Sequence, residues 1–177
     1  VMPYVAGNMF DAPGRNEKQV LDGSADVGVD LSYNLTSSLR ANLTLNTDFA
    51  ETEVDQRLVN LTRFPLFFPE KRAFFLDGAT LFNFYHDFTP IHPFFSRRIG
   101  LDEEGQPQPI VIGSKLIGQV GSEDIGMLYV RTDETTTGAA EDFAVVRLRH
   151  RFWAQSYIGA IHTRRNKSGN TLQTTGL

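Results

Sequence analysis

Two neighbouring stretches, Ala25-Asp26-Val27-Gly28-Val29-Asp30-Leu31-Ser32-Tyr33 and Leu39-Arg40-Ala41-Asn42-Leu43-Thr44-Leu45-Asn46-Thr47-Asp48-Phe49, alternate apolar and polar residues with a period of two. That period sends successive side chains to opposite faces of a strand. Val27, Val29, Leu31 and Tyr33 therefore share one face, and Leu39, Ala41, Leu43, Leu45, Thr47 and Phe49 share one on the next strand. The residues between, 35–38, suit a short hairpin turn. Strands of soluble sheets run about 5 or 6 residues, whereas tilted strands that cross a bilayer need roughly 9 to 11. Both stretches have the longer length. A soluble antiparallel sheet with one wet face alternates in the same way, so period alone leaves both architectures open.

Working outward, further strands are expected at Val1 to Phe10, Pro109 to Val120, Ile125 to Thr132, Asp142 to His150 and Ser156 to Arg164, with a last one beginning at Thr171. Pro109 to Val120 is read with Ile110, Ile112, Leu116 and Val120 on one face and Lys115 and Gln119 on the other. Asp142 to His150 sets Ala144, Val146 and Leu148 against Val145, Arg147 and Arg149. Arginines suit a water-filled lumen, while on a lipid face each costs about 2 to 4 kcal/mol near the midplane. Outer-membrane barrels join strands by short turns at one end and longer loops at the other. Short links are expected at 35–38, Gly121 to Asp124 and Arg151 to Gln155, and longer ones at 11–24, Asp133 to Glu141 and Arg165 to Asn170. The alternation is unbroken if 50–108 is one excursion on the long-loop side, with no spanning strand or an even number of them.

Composition sets the outer bounds. The chain has 177 residues, 41% hydrophobic and 21% charged, a balance that fits a folded protein and not a disordered one. A formal charge of -4 argues against nucleic acid as a partner. Absence of cysteine removes disulfides, thiolate metal sites and cysteine nucleophiles. No apolar run is long enough for a membrane helix, so a membrane reading rests on strands. Val1-Met2-Pro3-Tyr4 carries no signal region and Thr175-Gly176-Leu177 reads like a strand being entered, so both ends are expected to be cut from a longer chain.

Ten of the fourteen phenylalanines lie between Phe64 and Phe95, interleaved with Arg63, Glu70, Lys71, Arg72, Asp77, Arg97 and Arg98. This is the composition of a packed segment in which guanidinium groups stack on rings and meet carboxylates. A loop packed on a barrel's inner wall is the plainer reading, and a ligand site the sharper one. Glu70, Lys71 and Arg72 are expected to find opposite charges among Arg97, Arg98 and the acidic group near Glu53.

Asp48-Phe49, Glu53-Val54-Asp55, Val59-Asn60-Leu61-Thr62-Arg63-Phe64, Phe67-Phe68-Pro69-Glu70-Lys71-Arg72, Phe74-Phe75-Leu76-Asp77-Gly78 and Ser96-Arg97-Arg98-Ile99-Gly100 closely resemble a family of bacterial outer-membrane barrel domains of unknown function. The resemblance runs from Pro3-Tyr4-Val5 to the end of the chain, with Thr47 and Ala73 where relatives are expected to carry proline. It implies a barrel in the bacterial outer membrane. It also implies, upstream of Val1, a carbohydrate-binding domain related to the xylanase-associated family nine. It carries no activity over to any residue.

The remaining chemistry is sparse. Asp48, Glu51, Glu53 and Asp55 are the densest acidic group and a weak calcium candidate, lacking EF-hand spacing; a solvated or Arg-paired cluster is the plainer reading. His86, Asp87 and His92 have ligand chemistry but no zinc motif. No nucleophile elbow, phosphate loop or dinucleotide fingerprint is present, so no catalytic set and no cofactor is expected. Three Asn-Leu-Thr triplets, at Asn34, Asn42 and Asn60, are coincidental glycosylation patterns in a bacterial chain.

The expected fold is all-β, an incomplete antiparallel transmembrane β-barrel with a long aromatic-rich insertion. Residues 1–177 belong to one barrel domain and 50–108 form a lumenal plug or long-loop excursion. The expected function is an outer-membrane pore or transporter, or a membrane anchor, linked to saccharide binding or uptake. Its partners are then the lipid bilayer and, through the upstream domain, saccharide. Asp48, Glu53, Asp55, Arg63, Glu70, Lys71, Arg72, Arg97 and Arg98 are the ligand or lumen candidates. The alternative is a soluble secreted β-sandwich that binds carbohydrate or belongs to a glycoside hydrolase. The two differ at the Val27, Val29, Leu31, Tyr33 face, which meets lipid in one and a second sheet in the other.

Overall fold

The computed structural model describes residues 2–9, 23–47, 70–84, 93–102, 108–136, 138–153 and 156–177. Eight strands form one antiparallel sheet: β1 (Met2–Met9), β2 (Gly23–Asn34), β3 (Leu39–Thr47), β4 (Ile110–Val120), β5 (Glu123–Thr132), β6 (Glu141–Trp153), β7 (Ser156–Lys167) and β8 (Asn170–Gly176). Each strand pairs only with its sequence neighbours, in the order β1 to β8. β1 and β8 are therefore the edges, and the described sheet does not close on itself. β3 pairs directly with β4, so the long excursion between them leaves from and returns to one end of the sheet. Among the described residues it contributes no strand to the sheet.

Two local readings are corrected. Register slips between Ile110 and Ile112, so Ile110 joins the buried core while Ile112 and Leu116 stay on the opposite face. The link expected to be longer between Arg165 and Asn170 is a two-residue turn, Ser168-Gly169, with φ of 48° and 83°. Two positive φ angles give the type I′ geometry that matches strand twist, so β7 and β8 pair up to Lys167 and Asn170.

The faces have opposite company. One carries Ile117, Leu128, Val130, Phe143, Val145 and Ile161, covered by Phe75, Leu81, Phe82 and Ile99, with Phe74, Phe84 and Phe94 packed alongside. Those covering residues belong to the excursion, which contains two single-turn helices, α1 (Ala73–Leu76) and α2 (Ala79–Phe82), and a 3-10 turn at Ser96–Arg98. The other face, holding Tyr33, Leu45, Met127, Tyr129, Val146 and Leu148, is exposed.

Close approach of the helices to the strands is made by glycine. A Cβ at Gly113 would lie 2.6 Å from Thr44 and 3.1 Å from the Phe74 ring, and one at Gly126 would lie 3.0 Å from Leu81 and 3.1 Å from Phe82. Gly78, at φ 75°, turns the chain between α1 and α2 where a side chain would meet Ile117 at 2.5 Å. Gly126→Val should consequently overpack the α2 contact and cost about 1 to 3 kcal/mol. A lowered denaturant midpoint with faster proteolysis near Ala79–Phe82 is the expected readout. An unchanged midpoint would contradict this packing.

Candidate functional site

An ion pair braces the covering segment from within. Arg72 Nε and Nη2 donate to the two Glu70 carboxylate oxygens, each at 2.8 Å. The same guanidinium donates from Nη1 to the Ile99 carbonyl at 2.6 Å and from Nη2 to the Ser96 carbonyl at 2.7 Å. Ser96 Oγ donates to Glu70 Oε2 at 2.6 Å, and the backbone N–H groups of Lys71 and Arg72 donate to Oε1. Arg72 also lies 4.2 Å over the Phe75 ring. Bidentate geometry and the surrounding donors compensate the cost of removing both charges from water. The result fastens 70–76 to 96–99. Burial alone would raise the Glu70 carboxyl, but hydrogen bonds from Arg72 and Ser96, with the Arg72 charge, outweigh it and hold the group below the usual carboxylate range.

The sheet supplies a second anchor. Lys115 of β4, 4% exposed, donates its Nζ protons to the carbonyls of Phe74 and Asp77 at the end of α1. It lies 5.0 Å from the Phe74 ring centre and 3.7 Å from the Asp77 carboxylate, which Arg40 also approaches at 3.7 Å. At the excursion end of the sheet, buried Glu141 accepts two hydrogen bonds from Arg165, both at 2.7 Å, with Lys167 at 3.3 Å. At the hairpin end Arg149 and Arg151 share Asp124, at 3.0 and 3.2 Å. Arg147, 2% exposed, lies under Phe84 with its guanidinium 4.9 Å from the ring centre and its Nε without a hydrogen-bond partner. A polar cavity of about 410 Å³ at that end is lined by Arg40, Asp77, Gln119, Asp124 and Arg149, whose charges already pair with one another.

The open face is apolar in a band that moves along the strands. On β2 it is Val29, Leu31 and Tyr33, centred on Leu31. Across the register, Leu31 aligns with Leu43, Ser114, Tyr129, Ala144 and Arg164. Yet on β7 the apolar residues of this face are Ile158 and Ala160, flanking Gly159, five positions from Arg164 and nearer the hairpin turns. From β2 to β7 the band centre shifts by five positions over five strand steps, an average of one per step, with Met127 on β5 and Val146 on β6 each two positions from the Leu31 register. With about 3.3 Å per residue and about 4.8 Å between strands, the band runs about 35° from the perpendicular to the strands. Polar groups interrupting it pair locally: Glu123 with His150, and His162 with Thr175 at 2.9 Å. A depression of about 670 Å³ on this face is lined by Leu31, Tyr33, Leu43, Leu116, Met127 and Val146 among others.

Of the candidates read from sequence, Glu70 and Arg72 are brought together, Glu70 pairing with Arg72 rather than with Arg97 or Arg98, while the expected pairing of Lys71 and Arg72 with the acidic group near Glu53 lies outside the described residues. Arg97 and Arg98 belong to the 3-10 turn beside Ser96, and Lys71 is exposed. Asp48, Glu51, Glu53, Asp55, Arg63, His86, Asp87 and His92 lie outside the described residues. No cluster of three metal-ligating side chains occurs among the described residues. Glu141, Arg165 and Lys167 were not singled out from sequence. Their signal is periodic, since they occupy the covered face of β6 and β7.

The arrangement defines an antiparallel sheet whose covered face carries a charge-braced aromatic segment. A family model described as a domain of unknown function (DUF5916) matches residues 1–119, more than half of the chain, and the chain belongs to that family. The resemblance carried by the Phe67-Phe68-Pro69-Glu70-Lys71-Arg72 block to a family of unknown function is thereby borne out. No curated protein and no solved structure matches the chain. Among the described residues no helix is long and apolar enough to cross a membrane.

A carboxyl held below its ordinary value stabilises the fold above that value and loses its contribution as pH falls through the depressed one. Docking of 70–84 and 93–100 should thus stay constant from neutrality to the ordinary glutamate range and weaken below it, and Glu70→Gln should flatten that dependence. Arg72→Met, which leaves the half-buried Glu70 carboxylate without this counter-charge, should cost roughly 3 to 5 kcal/mol at neutral pH. Hydrogen exchange of Phe75, Leu76 and Ile99 against pH is the check. Identical pH profiles for the parent chain and Glu70→Gln would contradict it.

Proposed function

We propose that this chain is part of a β-barrel of the bacterial outer membrane, with the open face against lipid and the aromatic segment restricting the lumen. The observation that carries this reading is the drift of the apolar band. Membrane barrel strands tilt about 35 to 45° from the barrel axis, and a lipid-facing band must stay level as strands tilt through it. A level band on tilted strands steps along them in register, and the step of about 35° obtained from strand geometry is the one required. The outward residues of β8, Thr171, Gln173 and Thr175, are polar because the band has by then moved past them.

Other features support the same reading. β2 to β7 have 9 to 13 residues, sufficient to span. Phe152 and Trp153 are exposed near the turn between β6 and β7, as in an interfacial aromatic belt. A soluble β-sandwich would bury Leu31, Leu43, Met127 and Val146 under a second sheet, whereas among the described residues that face is open.

Function follows from where the irregular segment lies. Irregular backbone is tolerated at membrane depth only where protein or water satisfies it, and here the sheet does so. The chain acts as an outer-membrane pore or transporter, or as an anchor, whose free passage is limited by the segment. The link to saccharide binding or uptake rests on the resemblance alone, through the carbohydrate-binding domain it implies upstream.

Val29→Arg and Leu43→Arg should each destabilise membrane assembly by about 2 to 4 kcal/mol, while Asp30→Asn and Asn42→Asp are tolerated. Heat-modifiable gel mobility separates the two classes, and equal behaviour would refute the face assignment. Deleting Phe67 to Phe95 from the assembled protein should raise permeability to small hydrophilic probes. Unchanged permeability in a correctly assembled deletion would refute the restriction.

A further inference from the structure

The open face carries unneutralised positive charge at one height. Arg131 of β5 and Arg164 of β7 both point out of this face near the excursion end of the sheet. Arg131 approaches Asp142 at 3.8 Å, and the Tyr129 hydroxyl donates to the same carboxylate at 2.7 Å. Arg164, exposed and next to them, has no ion-pair partner among the described residues. It lines a cavity of about 230 Å³ with Tyr129, Asp142, Ala144 and Asn166. Among the described residues lining it the one carboxylate is already engaged and Asn166 Oδ1 accepts from the Thr171 hydroxyl at 3.4 Å, which leaves the Arg164 guanidinium and the Asn166 amide N–H groups for a ligand. His162, one outward position towards the band, is occupied by Thr175.

We infer that Arg164, supported by Arg131 and Asn166, binds the phosphate of a membrane lipid headgroup. The inference rests on the membrane reading and deepens it. At a tilt of about 35°, each residue climbs about 2.7 Å along the membrane normal. Arg164 is five positions from the band centre at Gly159, and Arg131 four from that at Met127, heights of about 14 and 11 Å. The apolar band of a membrane barrel is about 25 Å tall, so its edge lies about 12.5 Å from the centre. Both guanidinium groups thus sit where hydrocarbon ends and lipid phosphates begin. Deeper, an unpaired arginine facing lipid would be strongly unfavourable. At the rim its planar fork matches a phosphate bidentately. The opposite rim differs: there the open face bears the Glu123–His150 pair and Trp153, with no unpaired arginine among the described residues.

The test uses the full chain reconstituted in phosphatidylcholine vesicles doped with bis-phosphorylated lipid A or with its dephosphorylated form. Two readouts are taken. Quenching of Trp153, the chain's only tryptophan, by lipids with brominated acyl chains reports insertion. Lipid retained through purification, counted by native mass spectrometry, reports the site. The expected result is quenching in the parent chain and in R164Q alike. Retention of the phosphorylated lipid should fall roughly tenfold or more in R164Q, the loss of a charge-assisted hydrogen bond, and be only partly restored in R164K, which keeps the charge without the fork. Quenching with equal retention of both lipids, or equal retention by R164Q, would overturn the phosphate site and leave the membrane reading standing. No quenching in the parent chain would overturn both. Arg164-dependent binding of inorganic phosphate to the detergent-solubilised chain, without lipid preference, would overturn the lipid as the source.

Discussion

A carbonyl oxygen buried away from water has to be given a donor, and this requirement organises the molecule. Irregular chain lies over the covered face of the sheet, and four of its carbonyls, those of Phe74, Asp77, Ser96 and Ile99, are met by two cations. Lys115 reaches the first two from the sheet, and Arg72 reaches the others from within the segment. Each cation also lies over a phenylalanine ring, so the groups that satisfy the backbone are held by the rings they help to bury. Removing either would take a cationic donor away from these carbonyls inside an apolar layer, although the Ser96 oxygen would keep the Ile99 N–H. The aromatic content of the segment and the charges on the sheet beneath it are two parts of one solution.

That coupling explains how much the sequence discloses. The period of two in Ala25 to Tyr33 and Leu39 to Phe49 is a local property, and it places β2 and β3 and sets Leu31 and Tyr33 on one face with Leu43 and Leu45. Arg147 and Lys115 are legible as polar-face residues for the same reason. Partners are less legible, because pairing depends on how irregular chain folds back. Nothing in the two-residue spacing favours Arg72 over Arg97 or Arg98 as the partner of Glu70. Only the approach of Ser96 and Ile99 closes their network. Ile110 shows another limit, since one slipped register position reverses its face. The Ser168-Gly169 turn was open to a sharper reading, because a Ser-Gly pair between strands is itself a tight-hairpin signal.

Ala73 joins local and global constraint. It opens α1 after Arg72, whose φ of -72° and ψ of 122° are extended. A residue before proline prefers that conformation, and the first helical position tolerates proline, so the backbone here is already shaped for the proline expected in relatives. The brace at Arg72 holds this geometry with the chain's own hydrogen bonds.

The central claim is that one face of the sheet meets hydrocarbon while the other is sealed by the chain's own aromatic segment. Because the chain has no cysteine, single cysteines along β5 can each carry a nitroxide label without competing sites. Electron paramagnetic resonance of the full chain in bilayers, with oxygen and a water-soluble nickel chelate as relaxants, then reports each position's surroundings. The account predicts a period of two. Labels at Ile125, Met127 and Tyr129 should be reached by oxygen and not by nickel, and those at Gly126, Leu128 and Val130 by neither. Nickel access at Ile125, Met127 and Tyr129 comparable to that of the exposed turn residue Ser122 would contradict it.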